Sequence, residues 1–365
     1  MIEDVILTTE NCRYCLMCRH VCPVGHVTRL ETLTPHGWGL TISSIRRGML
    51  AIDDSTVEAI YSCADCGTCR ANCVTDQPLP SAIAAMRAEI ADAGQALPAV
   101  YELQAKLEKW GNPYAEQAPS AVDTQGEVAL FVGDDAFYQG QEALNAALTL
   151  LAAVDVKPVL IGVGRNNGYL ASSLGFPQLS FDLAMATLAE LEATGAGSMM
   201  VLTPGDYYAF RQMHDERNGL AWPKGVAVQE VIPFLAQHLE AGSLAFKRSQ
   251  EYLPFAYVDP THAVRVGDRH AAPRQLLAAV MPSQGLELFW RRERAHPSGN
   301  VALQYTNPHI ANHLAYSRLG DALERGARLL ITEDPAGRAF LERHAPRFGL
   351  QVTGFYELLA EHLAS

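Results

Sequence analysis

The chain lacks cysteine beyond Cys73, although it is 365 residues long and contains eight cysteines. Cysteines confined to one end are unlike the dispersed pairs of a disulfide-stabilised secreted domain. Basic residues are also few, with 28 Lys and Arg against 40 Asp and Glu and a formal net charge of -12. Because phosphate binding needs a basic surface, this balance argues against a nucleic-acid partner.

The sequence also lacks an apolar run of the ~18 residues that a membrane-spanning helix needs. Its most apolar stretch, residues 146–163, is interrupted by Asp155, Lys157 and Pro158. The amino end is acidic and has neither the basic nor the apolar segment of a signal peptide. We therefore expect a cytoplasmic protein, with peripheral attachment at the inner face of the membrane as the alternative.

The eight cysteines form two runs of identical spacing, C-x2-C-x2-C-x3-C. This is the spacing of bacterial ferredoxins, and Pro23 follows the first run as it does in them. Three close-set cysteines reach three irons of a [4Fe–4S] cube, and in two-cluster ferredoxins the fourth cysteine of each run binds the other cluster. The predicted ligands are Cys12, Cys15, Cys18 and Cys73 for one cluster and Cys63, Cys66, Cys69 and Cys22 for the other.

Zinc is the main alternative for these cysteines. A zinc site closes with four ligands, however. Zinc therefore does not explain why the third and fourth cysteines of each run have this spacing. Arg13, Arg19 and Arg70 stand in or beside the runs, where a positive charge would favour the reduced cluster; a solvated surface role is the alternative. Gly67 is expected to let backbone N–H groups approach the inorganic sulfides.

The region around the cysteine runs has a helical pattern. Residues 1–110 are predicted to form an α-helical ferredoxin domain, with a Pro- and Gly-rich loop at 34–39. We expect one helix capped by Ser55 and others that begin at Ser81 and at Val100.

Residues 111–126 have the composition of a linker. After them strands alternate with helices, which predicts a parallel sheet covered on both faces. The pattern recurs, so the fold class is a helical two-cluster ferredoxin domain followed by a duplicated α/β region at 127–245 and 246–365. Predicted strands cover 128–132, 158–163, 199–203, 255–258, 286–290 and 328–332, and predicted helices cover 142–153, 181–193 and 309–325.

The order of these features resembles the iron–sulfur subunits of glycolate oxidase, lactate oxidation complexes, anaerobic glycerol-3-phosphate dehydrogenase and heterodisulfide reductase. In that family a helical two-cluster ferredoxin domain precedes two Cys-Cys-Gly domains. The resemblance is specific over residues 12–73 and looser beyond. It implies an electron-transfer subunit of an oxidoreductase complex, not a stand-alone catalyst. Its partners would be a flavoprotein dehydrogenase carrying FAD or FMN and a membrane quinone-reducing protein or another carrier.

The cysteines of the Cys-Cys-Gly domains are missing from this chain. Asp134 replaces the first cysteine of the family pattern, and residues 203–206, 259–262 and 334–337 replace its other cysteine motifs. The additional cluster that those cysteines bind in the family is therefore not expected here. The candidate residues of an altered pocket are Asp134, Asp206, His262 and Asp334. A reductase that uses this pocket and is supplied with electrons by the clusters is the alternative function.

Two weaker patterns leave alternatives open. Glycines at 162, 164 and 168 follow a strand as in a dinucleotide-binding loop, but the third is displaced, so a tight turn is preferred. His309 and His313 are one helical turn apart, and a metal site completed by His262 is one interpretation; a hydrogen-bonded or solvated pair is preferred. The sequence has neither a phosphate-binding loop nor a nucleophile elbow.

Overall fold

The computed structural model describes residues 8–119, 125–267 and 269–364. A helical domain at the amino end is followed by an α/β region with two parallel sheets, of four and three strands. This order agrees with the predicted one. Of the helices in the described part of the chain, none is long and apolar enough to cross a membrane.

The amino-terminal domain is built from short helices. Its α-helices are Met17–Val21, Pro23–Thr28, Pro35–Arg46, Asp54–Tyr61, Thr68–Ala71, Leu79–Asp92 and Pro98–Trp110, with 3-10 turns at Thr8–Asn11 and Glu31–Leu33.

The Pro- and Gly-rich segment predicted as a loop at 34–39 is helical, so that prediction is wrong. The Thr34 side chain accepts a hydrogen bond from the Gly37 N–H at 3.2 Å and caps the helix. Pro35 stands in the first turn, where a missing N–H costs nothing. Trp38 then anchors the helix, because its indole N–H donates to the Ala59 carbonyl at 2.7 Å.

The next helix is capped two residues earlier than predicted. Asp53, and not Ser55, accepts from the Thr56 N–H at 2.9 Å, and the Thr56 hydroxyl in turn accepts from the Asp53 N–H. This reciprocal capping box fixes the start of the helix Asp54–Tyr61.

Both sheets are parallel, with strand orders β2-β1-β3-β4 and β5-β6-β7. The strands are β1 (Val128–Val132), β2 (Val159–Val163), β3 (Ser198–Val201), β4 (Ala227–Glu230), β5 (Phe255–Tyr257), β6 (Leu329–Thr332) and β7 (Gln351–Gly354). The sequence did not predict β4 and β7. It predicted a strand at 286–290 where the structure has only a single bridge between Leu286 and Ala256.

Helices follow the strands in both halves of the α/β region. They are Gly133–Gln139, Gln141–Ala152, Tyr169–Leu174, Pro177–Thr194, Pro204–Tyr208, Ala209–Met213 (a π-helix), His214–Asn218, Val231–Glu240, Ala271–Val280, Leu303–Thr306, Pro308–Glu324, Pro335–Glu342 and Phe355–Glu361, with 3-10 turns at Ala263–Arg265, Arg292–Arg294 and Ala345–Phe348.

The predicted linker is tightly packed over its described part. Asn112 is fully buried, and its side-chain amide donates to the Gly164 carbonyl at 3.1 Å and to the Glu116 carbonyl at 2.9 Å. Residues 111–119 are therefore fastened to the first α/β half and do not act as a free tether. The remainder of the predicted linker includes 120–124, which lie outside the described residues.

The helical domain shares its apolar core with the second α/β half. Trp38 and Ile60 belong to the same buried cluster as Leu314 and Leu330. The short helix that starts at Pro23 also packs against the long helix Pro308–Glu324. This packing holds the helical domain, with its cysteine runs, against the second α/β half.

Candidate functional site

The two cysteine runs fold alike. The residues just before and just after the second cysteine have left-handed backbone: Tyr14 and Leu16 have φ 54° and 61°, and Asp65 and Gly67 have φ 49° and 84°. Three of these are not glycine, and this conformation costs such residues roughly 1–2 kcal/mol each. A short helix starts directly after each turn. The equal spacing of the runs is therefore matched by equal backbone geometry.

Four cysteines, called here the surface group, border one small cavity near the protein surface. The cavity measures ≈ 60 Å³ and has apolar walls that include Leu16 and Leu40. Burial and, after it, the charges of the other three thiols raise the pKa of Cys18 to about 11, in keeping with their place around the same cavity. The surface group is Cys12, Cys15, Cys18 and Cys73.

The other four cysteines, called here the buried group, lie between the helical domain and the α/β region. Burial raises the pKa of Cys69 well above its usual value, and the neighbouring thiols of the group raise it further. The charge of Cys18 also reaches Cys69, and Cys69 borders the cavity of the surface group. The two groups are therefore adjacent. The buried group is Cys22, Cys63, Cys66 and Cys69.

These thiols fit the ligand set of an iron–sulfur cube. Burial raises the pKa of Cys63 to about 12 and that of Cys22 well above its usual value, so the thiolates need cations between them to ionise together. Backbone N–H groups already point at several sulfurs, as Asp65 N does at Cys63 Sγ (3.3 Å) and Gly25 N at Cys22 Sγ (3.4 Å). Such donors stabilise the negative charge that a thiolate-bound cluster carries.

The cations nearest the buried group are not the arginines singled out from the sequence. Arg19 pairs with Glu31 and Arg70 pairs with Asp76, all at least partly exposed. Arg87 instead donates to the Cys63 carbonyl at 2.7 Å and Arg265 to the Cys66 carbonyl at 3.1 Å. Both charges lower the pKa of the cysteine they approach, against the larger effect of burial. No local pattern marks these two arginines, because they are distant from the runs in sequence.

Asp65 fastens the loop of the buried group to both α/β halves. Its carboxylate accepts two hydrogen bonds from Arg217, at 2.8 and 2.9 Å, and one from Arg265 at 3.1 Å. Burial raises the pKa of Asp65, but the two guanidinium charges outweigh burial and leave that pKa well below its usual range. Arg217 comes from the first half and Arg265 from the second, so a single carboxylate joins three parts of the fold.

Gly67 has a packing role beside its expected approach to the inorganic sulfides, which stays a prediction. A Cβ atom at this position would collide with the guanidinium of Arg265, and φ is +84°. The glycine therefore leaves room for the arginine that spans the cluster loop.

The four residues proposed for an altered pocket line one cavity, called here the interdomain cavity, of ≈ 110 Å³. Asp134 and Asp206 follow β1 and β3 of the first half, and His262 and Asp334 follow β5 and β6 of the second. The carboxyl ends of parallel strands meet at one edge of each sheet, and here the two edges face each other.

Asparagines that the sequence analysis did not single out as ligands hold the carboxylates in place. Asn166 Nδ2 donates to Asp134 at 2.9 Å and Asn167 Nδ2 donates to Asp206 at 2.8 Å. Across the cavity, Asn300 Nδ2 donates to Asp334 at 2.7 Å. The available signal was positional, since Asn166 and Asn167 stand inside the glycine pattern at 162, 164 and 168 that follows β2.

The carboxyl groups of the cavity have raised pKa values. Burial, together with the charges of neighbouring aspartates, raises the pKa of Asp206 to about 7 and that of Asp134 to about 6. The pKa of Asp135, a further lining residue, lies well above its usual value for the same reasons, and that of Asp334 is raised by burial. The cavity is therefore rich in carboxyl groups that burial makes costly to ionise.

Two other parts of the sequence analysis have different surroundings. Asp259, the first residue of the segment 259–262, is buried and accepts two hydrogen bonds from Arg274 at 2.9 and 3.0 Å. His309 and His313 contact each other on an exposed helix face, whereas His262 packs against Tyr169 and Tyr208. Among the described residues no three His, Cys, Asp or Glu side chains form a site for one metal ion.

The glycine pattern at 162, 164 and 168 forms turns. All three residues have positive φ, and a Cβ on Gly162 would collide with the ring of Phe131. These turns aim Asn166 and Asn167 into the interdomain cavity.

Comparison with curated proteins finds none that matches this chain. Comparison with family models matches residues 8–76 to the 4Fe-4S dicluster domain. That match covers both cysteine runs and both turns described above. The amino-terminal domain is thus a dicluster ferredoxin domain, and the chain holds two [4Fe–4S] clusters on its eight cysteines.

Proposed function

We propose that this chain is the electron-transfer subunit of a multi-subunit oxidoreductase, passing single electrons between a flavoprotein dehydrogenase and a quinone or another carrier. The dicluster domain itself implies electron transfer. When bound, [4Fe–4S] clusters supply one-electron redox chemistry over a wide range of potentials. Two adjacent centres suit a flavin donor, because they divide its two electrons into successive single transfers.

We infer the crossed ligand assignment, in which the surface group binds one cluster and the buried group the other. The mutual effects on thiol pKa values support it, since Cys73 acts on Cys18, and Cys22 and Cys69 belong together. Each group thus combines three cysteines of one run with the fourth cysteine of the other.

The observation that carries the proposal is the difference in exposure between two adjacent groups. Cys15 of the surface group is exposed, whereas Cys22, Cys63 and Cys66 of the buried group are covered by protein. An external partner therefore meets the surface group first, and Cys18 and Cys69, which border the same cavity, mark the way inward. The arginines at the buried group favour its reduced form, because they offset negative charge.

The partners follow from the resemblance to glycolate oxidase and related complexes. We propose a flavoprotein with FAD or FMN as donor and a membrane quinone-reducing protein at the inner face as acceptor. We further propose that the two α/β halves are degenerate copies of the Cys-Cys-Gly domain. The two parallel sheets with aspartates after β1 and β6 support this relation.

A matched pair of variants tests the relay. Cys22→Ser removes a ligand of the buried group and Cys73→Ser one of the surface group, so each anaerobic variant should keep about four of about eight irons. We expect Cys22→Ser to lose only the cluster built on Cys63, Cys66 and Cys69. Loss of the other cluster would overturn the crossed assignment.

The order of transfer is measured by mixing each protein with photochemically reduced FMN and following the clusters by freeze-quench EPR. We expect reduction of the buried cluster to be much slower in Cys73→Ser than in the wild type. Equal rates would exclude the surface group as the entry point. An anaerobic pull-down with the tagged full chain should recover a flavin-containing subunit, and recovery of the chain alone would count against the complex.

One observation favours the alternative of a reductase with its own pocket. Tyr169 lines the interdomain cavity and donates its hydroxyl to the Asp65 carbonyl at 2.7 Å, inside the loop of the buried group. A molecule in the cavity would therefore lie one side chain away from that loop. Substrate-dependent reoxidation of the isolated reduced chain would support this function over the relay.

A further inference from the structure

The interdomain cavity has an unusual charge balance. Four of its lining residues are aspartates, contributed by both α/β halves, while the described lining includes no lysine or arginine. The guanidinium groups that act on the lining residue His262, those of Arg265 and Arg217, are already engaged with Asp65. Buried carboxylates without a counter-charge are costly, so the cavity favours a positively charged occupant.

His262 provides a second, independent sign of a ligand. It lines the cavity, and its Nε2 atom is buried without a hydrogen-bond partner among the described residues. Burial and then the charge of Arg265 lower its pKa to about 3, so the imidazole is neutral and adds no positive charge. A buried, unpaired ring nitrogen costs free energy until a ligand or water satisfies it.

The walls also indicate what kind of cation fits. Between the carboxylates the lining is apolar, with Val132, Leu170, Leu202 and Val301 among its residues. At ≈ 110 Å³ the cavity exceeds the space that a bare ion fills. Apolar walls with a few placed polar groups are typical of sites for small organic molecules.

The carboxylates are positioned before any ligand arrives. Asp206 is held by Asn167 and by the Thr203 hydroxyl at 2.7 Å, and Asp334 is held by Asn300. Each carboxylate oxygen can accept more than one hydrogen bond, so these contacts leave acceptors for a ligand. Fixed acceptors reduce the ordering cost of binding.

We propose that the interdomain cavity binds a small organic ammonium compound, with its N–H groups donating to Asp206 and Asp334 and its carbon skeleton against the apolar wall. This site goes beyond the electron relay and does not depend on it, because binding requires no electron transfer. The proposed site lies where the family that the sequence resembles has cysteines, but carboxylate and amide groups line it instead of thiolates.

Isothermal titration calorimetry on the full anaerobic holoprotein tests the proposal. The probes are methylammonium, ethylammonium and ethanolammonium chloride, matched with ethanol, ethylene glycol, acetate and glycolate at constant ionic strength. We expect saturable binding of at least one ammonium probe and none of the neutral or anionic ones. Binding of a neutral or anionic probe with equal affinity, or no binding of any ammonium probe, overturns the proposal, as does tight binding of magnesium, calcium or zinc chloride instead.

Variants locate the site. Asp206→Asn and Asp334→Asn keep the size of the side chain and remove its charge, and each should weaken ammonium binding about tenfold or more. Asp182→Asn, on an exposed helix face of the first half, is the control and should bind like the wild type. Unchanged affinity in both cavity variants, with circular dichroism that matches the wild type, would place the ligand elsewhere and refute the assignment.

Discussion

Replacing Asp65 with asparagine tests the joint between the cluster loop and the two α/β halves. Asp65 is only 2 % exposed and accepts three hydrogen bonds from Arg217 and Arg265. The asparagine keeps one acceptor oxygen but turns an amide N–H₂ towards a guanidinium N–H, and it leaves two buried cations without a counter-charge. Removing one partner of a buried ion pair costs roughly 3–5 kcal/mol.

The control is Asp76→Asn in the same domain. Asp76 also accepts from an arginine, Arg70 Nε at 2.9 Å, but its side chain is 73 % exposed. Exposed ion pairs contribute about 0–1 kcal/mol. The two variants thus remove the same charge from the same domain at very different depths.

The assay is urea denaturation of anaerobic protein, followed by cluster absorbance and by far-ultraviolet circular dichroism. We expect Asp65→Asn to lower the midpoint clearly and to lose the buried cluster before the helices unfold, because Asp65 stands between two of its cysteines. Asp76→Asn should remain close to the wild type. If Asp65→Asn shifts the midpoint no more than Asp76→Asn, the proposed role of this carboxylate as a joint is refuted.

Three further variants probe other parts of the fold. Arg269→Met should lower the urea midpoint by an amount that corresponds to roughly 3–5 kcal/mol, because it leaves Glu230 and Glu333 buried without their shared cation; an unchanged midpoint would contradict this. Burial raises the pKa of Asp206 to about 7 in the folded protein, so the contribution of Asp206 to stability should fall as pH rises from about 4 to about 7 and then level off. Asp206→Asn should abolish its part of that fall, on the order of 2–4 kcal/mol, and equal pH profiles of the two proteins would refute the assignment. Gly175→Ala should cost ~1–3 kcal/mol beyond its backbone strain, because the new Cβ meets the Arg87 backbone at 2.5 Å. Gly195→Ala, also at positive φ but with open space around it, is the matched control, and equal thermal shifts would contradict the clash.

Local sequence determined the cofactors and most elements. Cysteine spacing is a local property, and the turns of both runs depend on residues within that spacing, so two clusters were predictable from Cys12 to Cys73 alone. The strands at 128–132 and 159–163 were likewise evident from short apolar runs. The pocket residues were predicted together because they stand where the resembling family has cysteines, and they meet in the structure because the carboxyl ends of parallel strands lie at one edge of a sheet.

Some local elements were missed because their signals compete. Thr34 and Pro35 are typical of loops and also of the first turn of a helix. Only the hydrogen bond from Trp38 to Ala59 shows that the segment is a helix. β7 was missed because it is short and only partly buried, which leaves little hydrophobic pattern to detect.

Tertiary structure alone decided the surroundings of the clusters and the nature of the cavity. Arg265 and Arg217 both donate hydrogen bonds to Asp65, although they are 200 and 152 residues away from it in sequence. No local pattern encodes such contacts. The same holds for Asn300, which faces the carboxylates of the other half across the interdomain cavity. The sequence by itself thus specified which atoms bind iron, because ligand spacing lies within one short segment. Which charges surround those atoms depended on the packing of three distant parts of the chain, and electrostatic interactions follow distance in space, not along the sequence.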